Sequence, residues 1–384
     1  MAEVWDELLG QPEAIELLQK ALKAKETGVH HAWLFTGPAG SGRSLMARAF
    51  AAALQCEKGG CGQCQQCSLA MANAHPDINL LATERVQISI DEVRQLVSRS
   101  STSSSVGDYR IAIIEDADRM TERTSNVLLK ALEEPEQNTI WMLCAPSVAD
   151  LLPTIRSRTR NVVLRLPSAE EVAQLLIQRD GVEHELALRS ARQAQNHVGM
   201  ARRLATSQEA RARRTETLRE IAGINNLSKA MVAAEHLLSV AKRDAQALSE
   251  ERDGSERENL MRAYGLSPED KLPPNLRAEF KALEENQKRR GTRALRDGID
   301  RIFTDAESFF RDVMSLQLGS GAELINPEFE AELVARANAG STALTIDVLD
   351  SIAQARARLA ANVRDLLVLE ALCTRFISRS DIAA

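Results

Sequence analysis

The stretch Thr36-Gly37-Pro38-Ala39-Gly40-Ser41-Gly42-Arg43-Ser44 constrains this chain more than any other. It keeps the spacing G-x-x-x-x-G-K-[ST] of a phosphate-binding loop, with Arg43 where the lysine belongs. Trp33-Leu34-Phe35 supplies an apolar strand before it, and Leu45 to Leu54 an alanine-rich helix after it. A strand, a glycine turn and a helix N-terminus aim several backbone N–H groups at one anion. Gly37, Gly40 and Gly42 let the backbone turn, and Ser44 stands where a hydroxyl would hold Mg²⁺. Arginine keeps the charge of lysine but is a wide planar fork, so reach to a γ-phosphate does not follow from charge alone. The alternative is a glycine-rich strand–helix turn with no ligand. The spacing predicts the fold of the loop and leaves its chemistry open.

Twelve residues further on begins Cys56-x4-Cys61-x2-Cys64-x2-Cys67, with Gly59, Gly60 and Gly62 between the thiols. Four thiolates this close can converge on one tetrahedral ion, and the glycines allow the tight turns this needs. Structural zinc is the expectation; an iron–sulfur cluster and unligated thiols are the alternatives. Four protein ligands leave no open position, so such a zinc would be structural. The other two cysteines, Cys144 and Cys373, sit alone in apolar segments and read as core residues.

The rest of the first half alternates strands and helices. Ile78 to Leu81 is a strand; Ser89-x-x-Glu92 is a capping box opening a helix with Val93, Leu96 and Val97. Ser100 to Gly107 reads as a flexible loop. Tyr109 to Ile114 is an apolar strand ending in Glu115-Asp116-Ala117-Asp118, where carboxylates at a strand tip could hold a nucleotide's Mg²⁺ or merely cap the next helix. Thr124 to Glu134 is a helix stopped by Pro135, and Ile140 to Cys144 and Val162 to Leu164 are the last strands. Five strands interleaved with helices make a parallel α/β sheet. From about residue 206 the pattern is helical, with a heavily charged stretch from Glu250 to Asn259. Pro268, Pro273 and Pro274 then interrupt it. Val363, Leu366, Leu367 and Leu372 give the last helix its apolar stripe.

A chain of 384 residues exceeds one core, and 44% apolar content with 3% aromatics favours helix-rich domains. Net charge of −6 argues against coating nucleic acid by charge alone, which weakens a zinc-dependent DNA-binding module as a reading. No signal-like segment or 18-residue apolar run is present, so a cytoplasmic protein is expected.

Residues 1 to about 205 resemble a clamp-loader module of the AAA+ ATPase superfamily. The resemblance rests on Leu9-Gly10-Gln11, the phosphate loop, the four-cysteine insert, Leu128-Leu129-Lys130-Ala131-Leu132-Glu133-Glu134-Pro135 and Ser157-Arg158-Thr159. It implies an AAA+ α/β domain over 1–166 with a zinc insert at 56–67, a helical lid over 167–205 and an all-α collar over 206–384. Gly37, Gly40, Gly42, Arg43, Ser44, Glu115, Asp116 and Arg202, the last from Gly199-Met200-Ala201-Arg202, would then face ATP and Mg²⁺. Arg43, the inverted Glu115-Asp116 pair and Ala145 depart from a working ATPase and match the stator-like branch of the family. Such a chain has no ATPase activity of its own and works inside the DNA polymerase III holoenzyme. The rival is a self-sufficient gamma/tau-like motor. Ser157-Arg158 implies an arginine finger offered in trans to a neighbour's γ-phosphate; a surface arginine paired with a carboxylate is the alternative. The implied partners are gamma/tau-like ATPases and a delta-like subunit in a pentameric ring, the sliding clamp and primed DNA.

Overall fold

The computed structural model describes residues 3–6, 8–23, 28–83, 87–263 and 277–377. The chain forms two compact units, Met1–Thr206 and Ser207–Ala384.

The first unit opens with α1 (Pro12–Lys23), which has proline and Glu13 in its first turn and Lys20 and Lys23 in its last. That arrangement suits both the missing proline N–H and the helix dipole. Then follow β1 (Ala32–Thr36), α2 (Arg43–Gln55), α3 (Gln65–Met71), β2 (Ile78–Leu81), α4 (Ile90–Ser100), β3 (Arg110–Ile114) and α5 (Glu122–Glu133). Next come β4 (Thr139–Ala145), α6 (Pro153–Arg156) and β5 (Arg160–Val163). All strands are parallel, in the order β2-β3-β4-β1-β5. β1 and β4 are buried along their whole length, as expected of central strands covered on both faces. Trp33, Phe35, Met46 and Phe50 pack on the face covered by α2; Leu34, Ile114, Leu128 and Leu143 pack on the other. β4 therefore separates the phosphate-loop strand from the acid-tipped β3.

The capping box expected of Ser89 and Glu92 is formed at α4, and Ser168 with Glu171 forms another at α7 (Ala169–Asp180). Helix α7 ends on left-handed Gly181, and α8 (His184–Gln193) and α9 (Val198–Thr206) follow it.

The loop after α4 is held more firmly than its serine-rich composition suggests. The fully buried Asp77 carboxylate accepts the backbone N–H groups of Ser105, Val106 and Gly107 at 2.7–2.8 Å and pairs with Arg110 at 3.1 Å. Burial alone would raise its pKa, but these donors outweigh it and hold the group at about 2.

The second unit is all helical: α10 (Gln208–Gly223), α11 (Leu227–Ala263), α12 (Arg277–Leu318), α13 (Glu330–Ala339), α14 (Thr342–Ala360) and α15 (Asp365–Arg375). Phe303, Phe309, Phe310, Leu333, Ile352 and Phe376 centre its core. Arg214 is buried beside them, paired with Asp305 at 3.0 Å and donating to Asn326 at 2.6 Å. The apolar stripe of the last helix is in part where the sequence put it: Leu372 is buried and Leu366 packs against the core. Val368, Leu369, Leu372 and Cys373 face inward, whereas Leu367 is 53% exposed and Val363 lies before the helix. A cluster of apolar residues fits several rotations about the helix axis, and packing against α11 and α14 selects one. The prolines at 268, 273 and 274 fall outside the described residues. Among the described residues, no helix is long and apolar enough to cross a membrane.

Candidate functional site

Helix α2 carries one candidate site at each end. At its N-terminus, Gly42 is the cap residue at φ +88°, and Gly40 lies at φ +84°, both in the region that favours glycine. The Gly37 N–H donates to the Pro146 carbonyl at 3.1 Å, tying the loop to the segment after β4. Gln11 does the same on the other side: its amide donates to Ser41 O at 3.3 Å and to Arg165 O at 2.6 Å. Inside the loop the Ser41 hydroxyl is buried without a hydrogen-bond partner, a polar atom that suits an anion cradle.

Arg43 behaves unlike the lysine it replaces. Its Nη1 donates to the Gly37 carbonyl at 2.9 Å, so the guanidinium is bonded to the loop's own backbone. The turn between α8 and α9 also reaches the loop. A Cβ placed on Gly40 would lie 2.6 Å from His197 Cγ, and His197 follows a turn in which Gln195 and Asn196 are both left-handed. Nothing in the sequence near His197 marks it for this contact.

At the tip of β3, the Glu115 N–H donates to Leu81 O at 2.9 Å. Asp116 adopts a left-handed conformation at φ +51° and pairs with Arg119 at 3.4 Å. Asp118, the last of the carboxylates at this strand tip, has a buried Oδ1 with no hydrogen-bond partner. Burial and then the Asp116 charge push its pKa up, while Arg119 and Arg43 pull it down. Ala145 sits beside Thr36 in the β1–β4 register and offers the site no polar atom. Arg202 on α9 is committed to α7, its Nε and Nη2 both 2.9 Å from Asp180 Oδ1.

At the C-terminus of α2, the four cysteines converge. Cys56 and Cys67 are buried, Cys61 and Cys64 half-buried, and the four Sγ atoms lie within 4.8 Å of one another. Cys56 Sγ is 3.7 Å from both Cys61 Sγ and Cys64 Sγ. A tetrahedron of Zn–S bonds about 2.3 Å long requires sulfur atoms about 3.8 Å apart, so this cage fits a tetrahedral ion. Burial raises the Cys56 pKa, but backbone N–H groups of Cys61, Gly60 and Lys58 more than offset it, to about 6. The residues can hold a metal ion. A Cβ on Gly60 would meet Val4 Cγ2 at 2.7 Å, so the turn packs against the N-terminal segment.

Arg158 follows α6. Its Nη1 donates to Thr154 O at 2.8 Å and Ser157 Oγ at 3.1 Å, and its Nη2 pairs with Glu133 Oε1 at 2.6 Å. The neighbouring arginines differ. Arg156 is exposed and makes no ion pair among the described residues, and Arg160 stacks over Trp33 at 5.2 Å.

Residues 10–168 match the family model described as DNA polymerase III, delta subunit. The DNA polymerase III subunit delta' of Pseudomonas aeruginosa is 38% identical over 145 residues, 36% of this chain and 44% of that one. The delta' of Haemophilus influenzae is 34% identical over 160 residues, 41% of this chain and 49% of that one. The subunit gamma/tau of Mycobacterium bovis is 33% identical over 175 residues, 44% of this chain and 30% of that one. The chain thus spans less than half the length of each of these relatives. Phosphate loop, cysteine cage, acid-tipped strand and Arg158 loop all fall inside residues 10–168, the segment that is similar to the DNA polymerase III delta-subunit family and to the delta' subunits.

Proposed function

We propose that the protein is a cytoplasmic, delta-prime-type, stator-like clamp-loader subunit. It takes part in ATP-dependent loading of the sliding clamp onto primed DNA, beside gamma/tau-like ATPases and a delta-like subunit in a five-membered ring. Its own phosphate loop does not turn over ATP; it lends Arg158 to the γ-phosphate bound by a neighbour. The observation that carries this reading is the Arg43–Gly37 hydrogen bond, which engages the one cation of the loop with the loop itself. The commitment of Arg202 to Asp180 and the apolar Ala145 support it. In the cysteine cage we propose zinc, because four thiolates at tetrahedral spacing with no open position suit a structural ion. The zinc would tie the turn after α2 together, and no step of the reaction passes through it.

ATP turnover of the reconstituted loader, with this chain wild-type or Arg158→Ala, tests the reading against that of the chain alone. An inert isolated chain and at least a tenfold loss in the assembly, over roughly 1.4 kcal/mol of barrier, are expected. Turnover by the isolated chain, unchanged in the assembly by Arg158→Ala, would establish the self-sufficient gamma/tau-like motor instead.

A further inference from the structure

Arg158 is not free to act as it stands. Of the three arginines around α6 it is, among the described residues, the one bound to a carboxylate, and both of its terminal nitrogens are engaged. The two contacts of Nη1 come from its own turn, Thr154 O and Ser157 Oγ, and fix the direction in which the side chain leaves the backbone. The contact of Nη2 is of a different kind. It goes to Glu133, the last residue of α5, which belongs to another element. A carboxylate at a helix C-terminus lies at the wrong end of the helix dipole, so Glu133 gains nothing from α5 and has Arg158 as its counter-charge. The pair is also wet: the Arg158 side chain is 33% exposed and that of Glu133 47%. Exposed pairs of this sort are weak and exchange their partners readily.

We propose that Glu133 is a releasable clasp on Arg158, a positioning residue that holds the guanidinium off its target until a neighbouring subunit presents a polyphosphate. The inference rests on the trans-acting role given to Arg158 above. A γ-phosphate offers more negative charge and more acceptor oxygens than one carboxylate, so it takes Nη2 from Glu133 while the Nη1 bonds keep the side chain aimed. Glu133 left behind stays hydrated. The clasp therefore competes with the neighbour's nucleotide, and its signature is in the ATP concentration the assembly needs rather than in its maximal rate.

The experiment is ATP turnover of the ring reconstituted with gamma/tau-type subunits, comparing wild-type chain, Glu133→Gln, Arg158→Ala and the double variant, with assembly checked by gel filtration. Glu133→Gln should lower the half-saturating MgATP concentration about threefold and leave kcat within about twofold. The double variant should match Arg158→Ala, because without the finger the clasp has nothing to hold. Glu133→Gln that lowers kcat as Arg158→Ala does would make Glu133 a brace and overturn the clasp. So would a Glu133→Gln ring with unchanged kinetics beside a crippled Arg158→Ala ring, which leaves the finger standing. If Arg158→Ala is itself silent, the finger falls, and the clasp with it.

Discussion

The two ends of α2 hold loops of similar length and glycine content, yet they behave as opposites. At the C-terminal end four thiols meet at the spacing a tetrahedral ion needs, and backbone N–H groups point at Cys56. At the N-terminal end the glycine turn is formed, but Arg43 bonds to the loop, His197 lies against Gly40 and Ser41 Oγ has no partner. One site is complete in its own short stretch of chain; the other depends on groups drawn from distant segments. A metal cage of four cysteines is specified by ligand type and distance. The groups around the glycine turn come from separate strands: Arg43 follows β1, Glu115 and Asp116 follow β3, and Ala145 ends β4.

Emptying the cage should have the largest effect. Loss of an ion held at about a thousand times its Kd removes about 4 kcal/mol. Treating the purified chain with a chelator, or making Cys67→Ser, should lower the Tm of the α/β unit by roughly 8–16 °C in calorimetry. An unchanged Tm, with no metal released by the wild-type chain, would put the two ends of α2 on the same footing.

At the other end, Gly40→Ala combines a left-handed alanine with a collision against His197, together about 3 kcal/mol by urea unfolding. Adding His197→Ala should recover roughly half of that loss, the overpacking share. No recovery would mean that His197 does not press on the loop.

Asp77 probes a third, purely structural loop. Its folded pKa of about 2 lies below the unfolded value near 3.9, so the unfolded state binds more protons as pH falls. The stabilisation, about 2 kcal/mol, is therefore complete above about pH 4 and lost as pH falls through about 2. Urea midpoints of Asp77→Asn and wild-type should differ at pH 7 and converge near pH 2. Curves that stay parallel would remove Asp77 as the anchor.

The smallest effect is expected from Arg43→Lys. Restoring the lysine leaves Glu115-Asp116, Ala145 and the Asp180-bound Arg202 as they are, so ATP turnover of the isolated chain should stay at background. Stability should change by less than about 0.5 kcal/mol. Measurable turnover would show that Arg43 alone separates this loop from a motor.

Much of this was readable without coordinates. Strand β2 spans Ile78–Leu81 as read, and the Ser89 capping box marks the start of α4. Cys144 and Cys373 are buried as their apolar neighbours suggest. The pairings around the arginines were not readable. Glu133 lies 25 positions before Arg158, and Asp180 lies 22 before Arg202. Neither spacing carries a periodic signal.

The sequence by itself determined the α/β order, the glycine turn, the capped helix starts and the cysteine cage, because each depends on residues a few positions apart and on the 2.0 and 3.6 periods of strand and helix. Only the tertiary structure decided that Arg43 bonds to its own loop, that His197 covers Gly40, that Asp77 anchors a serine-rich loop and which face of α15 is buried. Those outcomes turn on which side chains from separate elements come within a few ångströms of each other. That is a property of the packed chain, and local spacing does not encode it.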